Sequence, residues 1–544
     1  MQISRRSFLY YSAPMAALPL LPPQCSDELY YRNGTNPFLH GVASGDPAAT
    51  GVILWTRVTA DGGAPARFSV RWYIATDPEL TRNVQTGVAA TDGSVDFTVK
   101  IDVTRLLPGT TYYYRFEALG HDSKVGRTRT LPVGQVQRLR LAFTSCANHA
   151  YGIFNAYARI AERADLDAVL HLGDYLYEYA NAEYGDGTAL GRIPSPNREI
   201  VSLEDYRQRH AQYKTDADLQ EAHRQHPFVV VWDDHESAND AFRDGAQNHD
   251  PASEGSWLER RAAAIRAYFE WMPIRGVVGD ASGRVYRSFA FGSLADVIML
   301  DTRMVDRDPQ VADPCDAATL SSPERQLLGA EQEQWFFSEL SQSQRRRAGW
   351  RIVGQQVMFA ELRDVFTGTG CALNTDQWDG YAAARARVLS TLSRDSIDNV
   401  VVLTGDIHSS WANDITSDPF DAATYEGSSG RGSVAVEFVT PAVTSPGIDD
   451  PVQAAFLAQV LRQTHPHIKY VDLNRRGYAL LDVTEERVQA EWYFVSSITE
   501  ASPAEELGAA FVTMAGHNHI VPALAPSEPR ADAPALAPLA PTTV

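Results

Sequence analysis

Ten side chains that can bind a cation or move a proton stand just behind four short apolar runs. Cys146 and Asn148 follow LRLAFTS, and Asp174 and Tyr177 follow AVLHLG. Asp233, Asp234, His235 and Asn239 follow FVVVW, and Asp406 and His408 follow NVVVLTG. Thiolate, phenolate, carboxylate, amide and imidazole are all metal ligands. A thiolate among hard oxygen groups suits a trivalent or redox metal beside a hard divalent cation. So many acids in one place would repel one another unless cations neutralised them. Each motif alone is weak: GDYLY (Gly173–Tyr177) or GDIH (Gly405–His408) reads equally well as a turn with a capping Asp. Their joint occurrence, each behind an apolar strand, is the signal.

The elements that must position these groups are legible in the spacing of apolar residues. From Leu139 onward, short strand-like runs alternate with helical stretches: LRLAF, a helix through FNAYARIAERA, AVLHL, then FVVVW, DVIMLD, WRIVGQ and NVVVLTGD. That alternation predicts an α/β layered domain, where ligand sites gather at the carboxyl ends of strands. Residues 40 to about 135 read differently. ARFSVRWYIA and DFTVKIDVT alternate apolar and polar side chains, and turn signals recur about every ten residues, which predicts a small antiparallel sandwich. The aromatic run at Tyr112–Phe116 reads as core of such a sheet and not as a stacking platform for a nucleobase.

The 544 residues exceed what one core supports, so two or more domains are expected. The net charge of −20 argues against nucleic acid as a partner, because a phosphate backbone needs a basic face. SRRSFLYYSAPMAALPLLPP at the N-terminus, with Arg5 and Arg6 ahead of a mild apolar stretch, looks like a twin-arginine export signal of about 25 residues. It is too short and Pro-rich for a membrane span, and no other segment has 18 apolar residues in a row. The expectation is an exported protein, periplasmic or extracellular, delivered by the twin-arginine machinery. The Ala/Pro-rich end from Val521 to Val544 has no period and reads as a disordered tail.

The motifs also resemble a known family. GVASGDP followed by LWTR, then TSCAN, HLGDYLYEY, VWDDHESAND, RRAAAIRAYFEWMPIR, LDTR, QWDGYAAAR and LTGDIHSSW occur in the order found in PhoD-type alkaline phosphatases of the metallophosphoesterase superfamily. The resemblance runs from about residue 38 to about 500. It implies an α/β core of two stacked sheets flanked by helices (138–515), behind a small all-β sandwich (38–135). It also implies one ferric ion and up to two calcium ions. By this resemblance Cys146, Tyr177 and His408 would hold iron, Asp174 would bridge iron and calcium, and Asn239 and Asp406 would bind calcium. Asp234 and His235 occupy the position that supplies a metal ligand and a phosphate-facing histidine. Asn148 departs from the family, which often has an acid there at a calcium position, and this puts the second calcium in question.

With Cys146 held by iron, as the resemblance implies, Cys315 and Cys371 could pair with each other, which an oxidising compartment permits. The implied activity is hydrolysis of small-molecule phosphate monoesters or diesters at alkaline pH. The metals would orient the phosphate, neutralise it and supply a deprotonated oxygen nucleophile. No covalent intermediate is required, and no G-x-S-x-G elbow follows a strand. Arg303 in LDTR would contact the phosphate or hold the site loops. Trp411, His171 and Glu236 would orient ligands from behind. The competing readings are a phospholipase D-like diesterase or a phosphotriesterase, and, from another class, a non-catalytic metal-binding protein on the same fold. The loops Asn181–Glu199 and Asp308–Ser322 would cover the metals and set pocket shape.

Overall fold

The computed structural model describes residues 33–276 and 283–539. The twin-arginine segment and Cys25 lie outside the described residues.

The apolar runs become strands of two large sheets. In the first, Arg138–Thr144, Ala168–His171 and Pro227–Val230 lie side by side and parallel. In the second, Ala295–Met299, Trp350–Gly354, Val400–Thr404 and Ala435–Val439 are parallel neighbours. Val, Ile and Leu dominate these runs because both faces of each sheet are covered. The largest core cluster draws on both sheets, from Leu141, Val169 and Val229 to Val297, Ile352, Leu403 and Phe438, so the sheets stack face to face. Helices close the outer faces. Leu203–Tyr213, Ala217–Gln225 and Trp257–Trp271 cover the first sheet, and Gly329–Arg345, Ala382–Arg394 and Pro451–Thr464 the second. Each fully buried Val, Leu or Phe in such a core contributes about 1.5–3 kcal/mol.

The N-terminal sandwich forms, and Tyr112, Tyr114 and Phe116 are core within it, while Tyr113 is buried on its other face. One of its two layers, however, is the outer edge of the first large sheet. Val42–Ala48 pairs parallel with Pro227–Val230, and Gly51–Arg57 and Thr98–Thr104 extend the sheet beyond it. Gly45 makes the junction possible, because a Cβ there would sit 2.2 Å from the Pro273 carbonyl oxygen. The sandwich is therefore hydrogen-bonded into the catalytic layer.

The chain end corrects the expectation of a disordered tail. Ile520–Pro522 adds a strand to the first sheet. Beyond it the chain is irregular but pinned: Arg140 donates to Glu528 O and Ser527 Oγ (both 2.9 Å), Tyr113 Oη to Ala535 O (2.6 Å) and Arg224 to Pro538 O (2.9 Å). Ala537 is buried against Tyr113 and Val125. A Pro-rich extended chain makes no internal hydrogen bonds, so its carbonyls are free to satisfy arginines buried on the body of the protein.

Candidate metal centre and active site

The carboxyl ends of the parallel strands in both sheets meet at one place. Ser145, after Arg138–Thr144, forms an isolated parallel bridge with Ala442, after Ala435–Val439, and ties the two sheets together there. Cys146, Asp174, Asp406 and His408 all turn out of their strands with φ between +52° and +61°. Left-handed backbone at a residue other than glycine costs about 1–3 kcal/mol and persists where the surroundings enforce it. The glycines before the two aspartates relieve crowding. A Cβ on Gly173 would meet Asp233 Cβ at 2.4 Å, and one on Gly405 would meet Ser145 Oγ at 2.7 Å.

Three overlapping groups of ligand atoms result, each within 4.8 Å of one another: Cys146, Asp174 and His408; Asp174, Asp234 and His235; and Asp233, Asp234 and Asp406. Tyr177 joins the first. Its hydroxyl donates to Asp174 Oδ2 (3.0 Å), lies 3.1 Å from His408 Nε2, and accepts from Ser445 Oγ (2.6 Å). The His408 Nδ1–H donates to Pro446 O (2.7 Å), which leaves Nε2 as the ligating nitrogen. His235 Nδ1 is held by Glu178 (2.8 Å). Glu236 accepts the main-chain N–H groups of Asp174, Tyr175 and Asp233 at 3.0, 2.7 and 2.8 Å, and so locks two strand-end loops together.

The electrostatics call for cations. Asp174 Oδ1 and Asp233 Oδ2 are buried with no hydrogen-bond partner. Burial pushes both acids well above the ordinary carboxylate range, and it pushes Asp406 up to about 7 and Glu236 up to about 8. The Cys146 thiol is raised by burial and then by Asp174. His235 rises against the effect of burial, because Glu178, Asp234 and Asp174 favour its charged form. His408 is lowered to about 3 by burial and then by His235. Orphaned acid oxygens beside a thiol, a phenol and an imidazole fit metal ions.

Arg303 is the main cation in place. It is fully buried; its Nε donates to Asp233, Nη1 to Asp376 (2.7 and 2.8 Å) and Nη2 to Asp406 (2.8 Å). Every guanidinium nitrogen meets a carboxylate, an arrangement suited to the loop-holding role of the two open to it from sequence. Asp376 is in turn shared with Arg307 (2.5 Å). Asn239 engages only its Nδ2, whereas Asn148 engages both ends of its amide. Asn239 Nδ2 donates to Gln247 Oε1 (3.0 Å). Asn148 Nδ2 donates to Tyr184 O (2.7 Å), and its Oδ1 accepts from Ala150 N (3.0 Å). Trp411 donates to Ser409 Oγ and His171 pairs with Tyr157, so neither hydrogen-bonds a candidate ligand.

Four residues of the site escape a reading of motifs alone: Glu178, Tyr184, Asp376 and Ser445. Glu178 and Asp376 sit in or beside the quoted motifs HLGDYLYEY and QWDGYAAAR, so a signal existed. Tyr184 lies in the loop Asn181–Glu199 already expected to cover the site, and Ser445 carries no signal.

Comparison with known proteins agrees with this geometry. The model of the PhoD-like phosphatase family matches residues 141–492, and that of the family's N-terminal domain matches residues 24–132. The chain belongs to the PhoD-like phosphatase family. It is 38% identical over 491 residues to alkaline phosphatase D of Bacillus subtilis (strain 168), covering 88% of this chain and 80% of that protein. A solved structure of PhoD superposes with a TM-score of 0.81 at 35% identity, covering 91% of this chain and 93% of the other. The chain is thus a phosphatase, with the PhoD fold. Cys315 and Cys371 form a disulfide with Cα atoms 4.9 Å apart, and Cys146 is the free cysteine among the described residues. No helix among the described residues is long and apolar enough to cross a membrane.

Proposed function

We propose that the chain is an exported phosphoesterase, periplasmic or extracellular, that cleaves small-molecule phosphate monoesters or diesters at alkaline pH with iron and calcium at the centre described above. The observation that carries this reading is the pair of orphaned acid oxygens, on Asp174 and Asp233, beside Cys146, Tyr177 and His408. Cys146, Tyr177, His408 and Asp174 would hold a ferric ion, since thiolate and phenolate favour a polarising trivalent metal. Asp174, Asp233, Asp234 and Asp406, with Asn239 at the edge, offer hard oxygens suited to calcium. When bound, such cations supply Lewis acidity to the phosphoryl group and a water acidic enough to attack it.

The protein's own residues do the rest. Arg303 keeps Asp233, Asp376 and Asp406 in register without touching the substrate. His235 has a ring nitrogen within 4.8 Å of carboxylate oxygens of Asp174 and Asp234, and its Nδ1 is anchored on Glu178. It can hydrogen-bond a phosphoryl oxygen or return a proton to the leaving alkoxide. The left-handed turns at Asp174 and Asp406 pre-set the carboxylates, so little reorganisation accompanies binding.

The test uses protein exported through an intact twin-arginine pathway. Visible spectrum, metal content and hydrolysis of a monoester and a diester are measured on one sample. A visible charge-transfer band, with iron and calcium present, and loss of band and activity in Cys146→Ala, is the expected result. A colourless enzyme active with zinc or manganese overturns the metal assignment and leaves the phosphatase.

A further inference from the structure

The loop between Tyr179 and Arg198 places one aromatic ring at the mouth of the centre. The Tyr184 ring is stacked on Tyr177 (centroids 5.8 Å, 24°) and on His235 (5.7 Å, 28°), with Tyr179 tilted beside it at 5.2 Å. Tyr177 is a candidate ligand and His235 the candidate phosphate-facing group, so the ring lies against both. Tyr184 is only half-buried, and its hydroxyl makes no hydrogen bond among the described residues. A core tyrosine would use its hydroxyl or bury its ring, and this one does neither.

The ring is held by its backbone. Ala182 N donates to Gly185 O (2.9 Å), closing a tight turn around Glu183 and Tyr184, with Ala182 at φ +69°. The Tyr184 carbonyl accepts from Asn148 Nδ2 (2.7 Å). The partners of Asn148 fix which end of its amide is which, since Oδ1 faces the N–H of Ala150 and Nδ2 faces a carbonyl. Only an amide makes both bonds. A carboxylate here could accept from Ala150 but would oppose the Tyr184 carbonyl oxygen.

We propose that Tyr184 is a specificity-determining wall against which the leaving alcohol of the ester packs, and that Asn148 is the latch of this wall and not a cation ligand. Substrates whose leaving group is flat and aromatic gain contact with the exposed part of the ring, and small alkyl alcohols gain little. This rests on the phosphoester site proposed above for where the phosphate lies, and it is independent of which cations fill that site.

The test compares kcat and KM for 4-nitrophenyl phosphate and glycerol phosphate, with metal content measured on the same samples. Tyr184→Ala is expected to lower the aryl-to-alkyl ratio of kcat/KM about tenfold, mainly through KM for the aryl ester. Tyr184→Phe, which keeps the ring, restores the ratio. Asn148→Ala and Asn148→Asp are expected to lower the ratio by about three- to tenfold, with calcium per chain as in the parent. An unchanged ratio in Tyr184→Ala overturns the wall. Loss of one calcium per chain in Asn148→Ala, or gain of one in Asn148→Asp, at an unchanged ratio overturns the latch. Because the ratio is read with whatever cations the purified enzyme holds, an error in the iron and calcium assignment shows in the metal content and not in this comparison.

Discussion

Asp174 and Tyr175 are neighbours in the chain, yet their side chains belong to two buried polar clusters of opposite character. Asp174 enters the metal centre. Tyr175 hydrogen-bonds His223 Nε2 (2.9 Å), which also meets Lys214 Nζ (3.0 Å), while Tyr157 holds His171 (2.8 Å) alongside. The second cluster is neutral, although His171 Nδ1 and His223 Nδ1 are buried in it without a hydrogen-bond partner. Burial drives Lys214 and His223 well below their ordinary pKa values and takes His171 to about 3, so the uncharged histidines exchange hydrogen bonds with phenols and Lys214 meets His223. The first cluster has acid in excess, two unpartnered carboxylate oxygens and four left-handed residues. Burial of polar groups is common to both. Unpartnered atoms occur in both as well, so what separates a site from a polar core is excess acid together with enforced backbone strain.

Substitution of adjacent residues should sharpen this contrast most. Asp174→Asn is expected to strip metal and lower kcat/KM by roughly a thousandfold or more, because the bridging acid is lost. Tyr175→Phe, one position on, should cost about 1 kcal/mol of stability and leave kcat/KM within about twofold. Metal analysis and steady-state kinetics on the two variants check both. Equal losses would erase the distinction between the clusters.

Within the acidic cluster, Arg303→Met leaves Asp233, Asp376 and Asp406 facing one another. Breaking buried pairs in this way costs about 3–5 kcal/mol, read as a lowered denaturation midpoint. Added calcium should recover part of it, and Arg303→Lys should recover little, since one ammonium cannot serve carboxylates at three guanidinium nitrogens. The Cys315–Cys371 disulfide spans 56 residues. Replacing both cysteines by serine should cost about 2–4 kcal/mol, measured the same way. The Cys146 charge-transfer band should persist in that variant.

The smallest effect concerns the neutral cluster. The folded pKa of Lys214 lies well below the ordinary 10.5, so between those values the unfolded chain binds one more proton than the folded one. Stability therefore rises with pH toward 10.5, with a slope of at most about 1.4 kcal/mol per pH unit from this group. Lys214→Met should flatten that rise in a series of melting curves from pH 7 to 10.5. A slope unchanged by the substitution would mean that Lys214 stays charged between Trp55 and Tyr175, whose rings it overlies at 4.9 and 5.1 Å.

The strands behind the site were legible because each is a continuous apolar run and fully covered strands need no alternation. The candidate ligands were legible because GD and GDIH place small and acidic residues at strand ends, where α/β sheets gather their sites. Arg303 was legible as a charged residue after a strand, but its role was not. Whether a guanidinium meets phosphate or carboxylates depends on Asp376, 73 residues away. The tail was misread because Ala/Pro composition reports the absence of internal hydrogen bonds and says nothing about the buried arginines elsewhere that can use its carbonyls.

What the amino-acid sequence determined by itself is local: strand and helix periods, turns that need glycine, and the identity of the candidate ligands. What the tertiary structure decided is partnership. It set Asn148 on the Tyr184 carbonyl, it joined the sandwich to the catalytic sheet at Gly45, and it left Asp174 and Asp233 each with one unpaired oxygen. Those outcomes follow from packing two sheets so that Ser145 and Ala442 bridge, 297 positions apart, and no spacing along the chain encodes which buried donors will then find acceptors.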